Sequence, residues 1–249
     1  MIVHLFISFL CLCLSFSVFA ACPNVVTDKT VVLQQINDGD TVTIDNGQRV
    51  RFIGINTPEI NHRDKSRSQP FALQAKQLLE KQVQVGDKIH LLFDQTHYDK
   101  YGRLLAYAFT ENGVNLSLLQ LQSGLAKHWV IGDNDFFWQC FQLAEQQARM
   151  SRKGGWADFK PLAAAKLSSK NTGYQYVIGK LSALKVTNKG LQFTLDNTLK
   201  VNIYKQYLAL FTANNITFLL NQKLLLRGKI KYHNGDFNLS LYHPAQILP

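Results

Sequence analysis

The stretch "RFIGINTPE", Arg51 to Glu59, decides how the first half of this chain is built. Its first part has the apolar, β-branched composition of a strand. It then runs out into Asn-Thr-Pro-Glu, where Pro58 can donate no ladder hydrogen bond and marks a sheet edge. A charged residue inside such a strand and a polar knot at its end both call for a reason. Upstream, "TVVLQQI" (30–36) and "TVTID" (41–45) are separated from one another and from the strand by "NDGD" and "NGQ", which are turn compositions, so a meander is predicted. Downstream come a charged loop, "NHRDKSRS", and a helical pattern over 71–82 with Pro70 just inside its start. Strand character returns at "KIHLLF" (88–93) and "RLLAYAF" (103–109), joined across "DQTHYDKYG". Two more helical patterns follow, at 114–124 and from Asp135 to Gly154. The whole predicts a small barrel-like β unit with helices packed on it.

The segment "GGWADFKPLAAAKLSSKNTG" (154–173) has no sustained alternation and is expected to connect two domains, with the linker proper at 161–173. Beyond it, five strand-like runs begin at Tyr174, Leu191, Leu199, Lys223 and Phe237, and a short helical piece, "KQYLALFTA", lies between the third and the fourth. That is the element order of an OB barrel. Asn234-Gly235 within "HNGD" suits a type I′ hairpin turn. The division expected is 21–160, 161–173 and 174–249, after a leader at 1–20.

That leader, "MIVHLFISFLCLCLSFSVFA", is almost wholly apolar and ends in small residues, as a secretory signal cleaved after Ala20 would. It has His4 but no Lys or Arg near its start, and an uncleaved anchor is the alternative. Cleavage leaves Cys22 and Cys140 as the two cysteines of a secreted or periplasmic chain, where a disulfide between them is expected; lipidation of Cys22 is the rival reading. No membrane span would remain, and a monomer is expected.

The net charge of +10 is concentrated. Residues 21–160 hold 16 Lys/Arg and 15 Asp/Glu, whereas residues 161–249 hold 11 and 2, a net +9. Two acids among thirteen charges point to a polyanionic partner for the C-terminal domain: nucleic acid, anionic lipid or envelope polymer. Its tyrosines at 174, 176, 204, 207, 232 and 242 are interleaved with lysines, a composition that suits stacking on unpaired bases above a positive groove, although β-propensity alone would also place tyrosines in strands.

Three short clusters in the N-terminal unit, "NDGDT" (37–41), "RFIGINTPE" (51–59) and "DKYGR" (99–103), are each ordinary turn or strand chemistry alone. In this order, with "GLAK" at 124–127 and a last helix ending in "GGW", they resemble the staphylococcal-type nuclease family over about Val31 to Trp156. The resemblance implies a β-rich α+β fold: an OB-like five-stranded barrel with three helices, here followed by a second, smaller OB-like barrel. It also implies calcium-dependent hydrolysis of DNA and RNA. By motif position it makes Arg51, Glu59 and Arg103 the catalytic set, and Asp40, Asn56 and the Thr57 carbonyl the calcium ligands. Lys100 and Tyr101 fall where substrate is contacted.

The residue types fit those roles. Glu59 can take a proton from water. Two guanidiniums can grip phosphate oxygens and hold the charge that develops at phosphorus. Oxygen ligands suit a hard cation. Asn56 departs from the family's best-known pattern, which has Asp there; its amide oxygen can coordinate but brings no charge, so weaker metal binding is expected. Two other readings follow: a nucleic-acid-binding protein that has lost catalysis, and a surface adhesin. Trp129, just after "GLAK", could stack on a base, but a buried aromatic is the default. His62, His90 and His97 match no metal-binding spacing.

Overall fold

A computed structural model describes residues 22–130, 132–214 and 217–249. The expected signal segment, 1–20, lies outside the described residues. The first domain begins with β1 (Lys29–Ile36), β2 (Thr41–Ile44), β3 (Arg49–Phe52) and β4 (Gly54–Asn56). Then come α1 (Ala72–Glu80), β5 (Lys88–Leu92), β6 (Leu104–Thr110), α2 (Leu116–Gln122), β7 (Lys127–Trp129) and α3 (Trp138–Met150). Five strands close a barrel in the order β1-β2-β3-β6-β5, with β3 parallel to β6 and the other pairs antiparallel. Inward residues such as Val31, Leu33, Val42 and Ile89 fill it.

Strand β6 is buried along its whole length. One face looks into the barrel and the other is covered, and this is why "LLAYAFT" reads as continuous rather than alternating apolar sequence. Tyr107 meets Phe137 and Phe141 edge-on, with ring centroids 4.8 and 6.0 Å away. Pro70 is not inside α1: Phe71 takes a left-handed conformation (φ 70°) and the helix starts at Ala72. A disulfide joins Cys22 to Cys140, tying the start of the described chain to α3.

The second domain contains β8 (Leu162–Ala163), β9 (Gly173–Thr187), β10 (Gly190–Leu195), β11 (Leu199–Tyr204), α4 (Leu208–Ala213), β12 (Lys223–His233), β13 (Asp236–Leu241) and β14 (Ile247–Leu248). The long β9 pairs with β10 through its second half and with β12 through its first, closing a second five-stranded barrel, β9-β10-β11-β13-β12. Asn234 and Gly235 both have positive φ, 50° and 85°, as the type I′ turn between β12 and β13 requires. Within the stretch expected to be a connection, β8 pairs in parallel with β9 and Ala164 is buried in the second core.

Helix α3 also meets the second barrel. Gln142 donates to the Ile247 carbonyl (2.6 Å), and Arg149 donates to the Pro249 carbonyl. Arg227 of β12 reaches Glu145 of α3 at 2.7 Å, and the Glu145 carboxylate also accepts the His128 backbone N–H at 2.8 Å. Among the described residues no helix is long and apolar enough to cross a membrane.

Candidate active site

The opening puzzle of a charged residue within a strand resolves at the rim of the first barrel. Arg51 is buried; its Nη1 donates to the Phe52 carbonyl (2.9 Å) and its Nη2 to the Asn56 Oδ1 (3.1 Å). The same Nη2 lies 3.1 Å from Asp40 Oδ2. That oxygen also accepts the Thr57 backbone N–H (2.7 Å), while Asp40 Oδ1 accepts from the Thr41 hydroxyl (3.1 Å). Arg51, Asp40, Asn56 and Thr57 are therefore one interlocked group, fed by the β1–β2 turn and by the chain leaving β4.

The turn that carries Asp40 is held from behind. A Cβ on Gly39 would come within 2.6 Å of the Ala75 Cβ, so only glycine lets the turn approach α1 this closely. Gln120, fully buried in α2, donates through Nε2 to the Gly39 carbonyl (2.9 Å) and to the Ala75 carbonyl (2.7 Å). Gln69 and Glu59 exchange hydrogen bonds: the Glu59 N–H donates to Gln69 Oε1 and the Gln69 N–H to the Glu59 carbonyl, both 3.0 Å. The Glu59 backbone is thus clamped while its exposed carboxylate forms no ion pair among the described residues.

Asp38 joins this group. Its Oδ1 accepts the Asp40 N–H (3.0 Å), and burial, then the neighbouring Asp40 and Glu59 carboxylates, push its own carboxyl up to about 6. Crowded carboxylates with all-oxygen neighbours are the donor chemistry a hard divalent cation fits, and a cation would relieve the repulsion that raises Asp38. Among the described residues no three His, Cys, Asp or Glu side chains converge as a ready-made metal cage. The Asn56 amide and the Thr57 carbonyl would have to share such a site.

Arg103 comes from the loop that leads into the neighbouring strand. In the parallel pair β3–β6, Arg51 lies opposite Leu105, and Arg103 sits two residues before it, just ahead of the start of β6. Its Nε donates to Asp99 Oδ2 (2.7 Å). Asp99 in turn accepts the backbone N–H groups of Tyr101 (2.8 Å) and Arg103 (3.0 Å). Burial raises the Asp99 carboxyl, but the bonds from Arg103 and the loop outweigh it and hold it below the usual range. Lys100 Nζ sits 5.0 Å and the Arg103 guanidinium 5.6 Å from the centre of the exposed Tyr101 ring. The structure thus joins Arg51, Asp40, Asn56 and Thr57 by direct bonds, and leaves Arg103, Lys100 and Tyr101 on a separate loop with no bond to them.

A chain match adds to this geometry. Residues 49–158 match the family model described as "Staphylococcal nuclease homologue". The Thermonuclease of Staphylococcus intermedius is 30% identical over 135 residues, covering 53% of this chain and 78% of that protein. The chain belongs to the staphylococcal nuclease family. Endonuclease YhcR of Bacillus subtilis (strain 168) is 30% identical over 141 residues, 53% of this chain but 12% of that longer protein. Endonuclease YncB of the same organism is 35% identical over 132 residues, 51% of this chain and 61% of that one. The family match ends at residue 158, before the second barrel.

Three contributors to this candidate site escape sequence reasoning. Asp38 is visible only as half of an Asp-Gly-Asp turn. Gln120 is signalled solely by being a polar residue among leucines on a helix, and Gln69 by nothing local. Trp129 also corrects the default of a buried aromatic: it is 37% exposed and packs against Tyr174 at a 35° tilt, with centroids 4.5 Å apart, while its neighbour His128 is the buried one. His90 is spent on Thr30 (2.8 Å), and His97 lies against the Phe93 ring (5.1 Å).

Proposed function

We propose that this chain is an exported, calcium-dependent nuclease that hydrolyses phosphodiester bonds of DNA and RNA with little sugar specificity. The observation that carries the reading is the interlock of Arg51, Asp40, Asn56 and Thr57 at the barrel rim beside the Glu59 carboxylate, which has no ion-pair partner among the described residues. Glu59 acts as general base, taking the proton of the attacking water. Arg51 and Arg103 hold phosphate oxygens and the negative charge that grows on five-coordinate phosphorus, where forked donors serve better than a point charge. Within the Arg103 guanidinium only Nε is bonded to Asp99, which leaves its two Nη groups to face the phosphate. Asp40, Asn56 and the Thr57 carbonyl would hold a calcium ion, which would supply orientation and polarisation of the phosphodiester when bound. Lys100 and Tyr101 contact the substrate from the flanking loop, and the basic second barrel adds affinity for nucleic acid.

Export is supported by the apolar leader and by the Cys22–Cys140 disulfide, a bond suited to an oxidising compartment. A sulfur held in that bond is not free to carry a lipid. Asn56, neutral where the family pattern is acidic, favours one second reading: a nucleic-acid-binding protein with little or no turnover.

Purified mature protein given calcium and either plasmid DNA or RNA decides between them. Cleavage that stops with chelator, and a fall in kcat of about 10²–10⁴-fold in Glu59→Gln with oligonucleotide binding retained, is the expected result. Intact nucleic acid that is nonetheless shifted on a gel would establish the second reading instead.

A further inference from the structure

Between the two barrels lies an open cleft of about 1310 Å³, larger than the roughly 300–1,000 Å³ of small-molecule sites. Its floor is the outer face of β11, β13 and β12. Val201, Ile203, Leu239 and Leu241 point into the core, so the alternate positions Asn202, Asn238 and Ser240 face outward. Asn202 is the register partner of Ser240, and Asn238 that of Lys231. Lys229 and Lys231 are exposed along β12, and neither forms an ion pair among the described residues. Two acids line the cleft: Asp135, bonded to His243 at 3.1 Å, and the exposed Asp133. At its mouth the Trp129 and Tyr174 rings pack against each other across the domain boundary, tilted by 35°, and both remain partly solvent-exposed, 37% and 40%. Tyr204 and Tyr242, 39% and 48% exposed, line it further in.

We propose that this cleft binds a single-stranded segment of the nucleic acid whose phosphodiester is presented to the Arg51–Glu59 site, a placement that rests on the nuclease reading above. Strand β7 connects the two places. Lys127 is the register partner of Asn56, and Trp129 lies two residues further on, about 7 Å along the strand. A strand leaving the barrel rim past Asn56 therefore meets the Trp129–Tyr174 pair first and then Lys229, the register partner of Tyr174. The ligand class follows from chemistry. Open aromatic faces can stack only on bases that are not already paired inside a duplex. Asparagine and serine side chains offer both donors and acceptors to base edges, and unpaired lysines take up phosphates. The +9 excess of residues 161–249 supplies the long-range attraction.

The test is fluorescence anisotropy on the full mature chain in chelator, where nothing is cut, with labelled oligothymidylates of about three and about twelve nucleotides and a duplex of the longer length. In Lys229→Glu/Lys231→Glu the longer strand is expected to bind about tenfold more weakly or worse, with the log–log salt slope shallower by about 1.4, two contacts at about 0.7 each. The short oligonucleotide, held at the barrel rim, should be unaffected. Lys185→Glu/Lys189→Glu, equally exposed on the same barrel but outside the cleft, should change binding much less. Quenching of tryptophan emission by the longer strand should largely disappear in Trp129→Phe. The proposal is overturned if the two lysine pairs act alike, if the duplex binds as tightly as the single strand, or if Trp129→Phe leaves the quenching intact. Cleavage with calcium is scored separately. A chain that binds through the cleft but never cuts sinks the nuclease reading alone, and a chain that cuts but ignores the cleft substitutions sinks this one alone.

Discussion

Replacing Arg227 with methionine is the most demanding test of how the two barrels are joined. Arg227 and Glu145 are each 2% exposed in their side chains and lie 2.7 Å apart across the domain boundary. Arg227 also donates through Nε (3.0 Å) and Nη2 (2.7 Å) to the Ala245 carbonyl. Burial works against the guanidinium's charge, and Glu145 more than compensates, so the arginine pKa is raised. In Arg227→Met the Glu145 carboxylate keeps the His128 N–H but loses its counter-charge in a dry interface. Removing one partner of such a pair costs about 3–5 kcal/mol, whereas replacing both is close to neutral. At about 2–4 °C per kcal/mol for a chain of this size, Arg227→Met should lower the melting temperature by roughly 6–20 °C. Glu145→Gln should be comparably destabilised. The double variant should lie nearer to wild type than either single one, which requires a coupling energy larger than either single cost, above about 3–5 kcal/mol. Thermal melts by calorimetry, completed as a double-mutant cycle, measure all four corners. A shift under about 2 °C in Arg227→Met, or single costs that simply add in the double variant, would refute the reasoning.

Other outcomes follow from the same structure. The Cys22–Cys140 bond closes a loop across 118 residues, so Cys22→Ala/Cys140→Ala should lose about 2–4 kcal/mol in urea titrations; an unchanged midpoint would count against a structural role. His128 is fully enclosed and donates through Nδ1 to the Gly54 carbonyl (2.7 Å), and burial pulls its pKa down from 6.5 to about 3. The unfolded chain takes up a proton at this residue below pH 6.5 that the folded one refuses until about 3. Stability is therefore present above 6.5 and is lost on acidification, by about 2 kcal/mol from this group between pH 6.5 and 5. His128→Gln should flatten the slope of unfolding free energy against pH by up to one proton over that window; an identical slope would show that His128 does not titrate this way. Asn56→Asp should restore a ligand charge and lower the calcium concentration for half-maximal activity about tenfold, and an unchanged requirement would remove Asn56 from the ligand set.

Most of the fold is legible in the sequence because its signals are local. Alternation in β1, the continuous burial of β6, the Asn234-Gly235 turn and the five-strand order of the second barrel each depend on residues close together in the chain. The candidate site is half legible. Arg51, Asp40, Asn56, Thr57 and Glu59 fall within two short motifs, but Asp38 looks like turn filler until the fold crowds it against Asp40 and Glu59. Gln120 looks like a helix-surface residue until α2 is found to lie under the Asp40 turn.

The sequence by itself determined two β-rich units, the disposition of charge between them and the motif that places chemistry at the first barrel's rim. Only the tertiary structure decided that the two units share a buried ion pair, that Trp129 faces Tyr174 across a cleft, and which lysines look into it. The reason is physical: a strand's period states which residues share a face, but not what that face meets. Arg227 alternates within "KLLLRGKIKYH" like any surface arginine, and it becomes a buried charge only because Glu145, 82 residues earlier, is carried by the helix that docks on it.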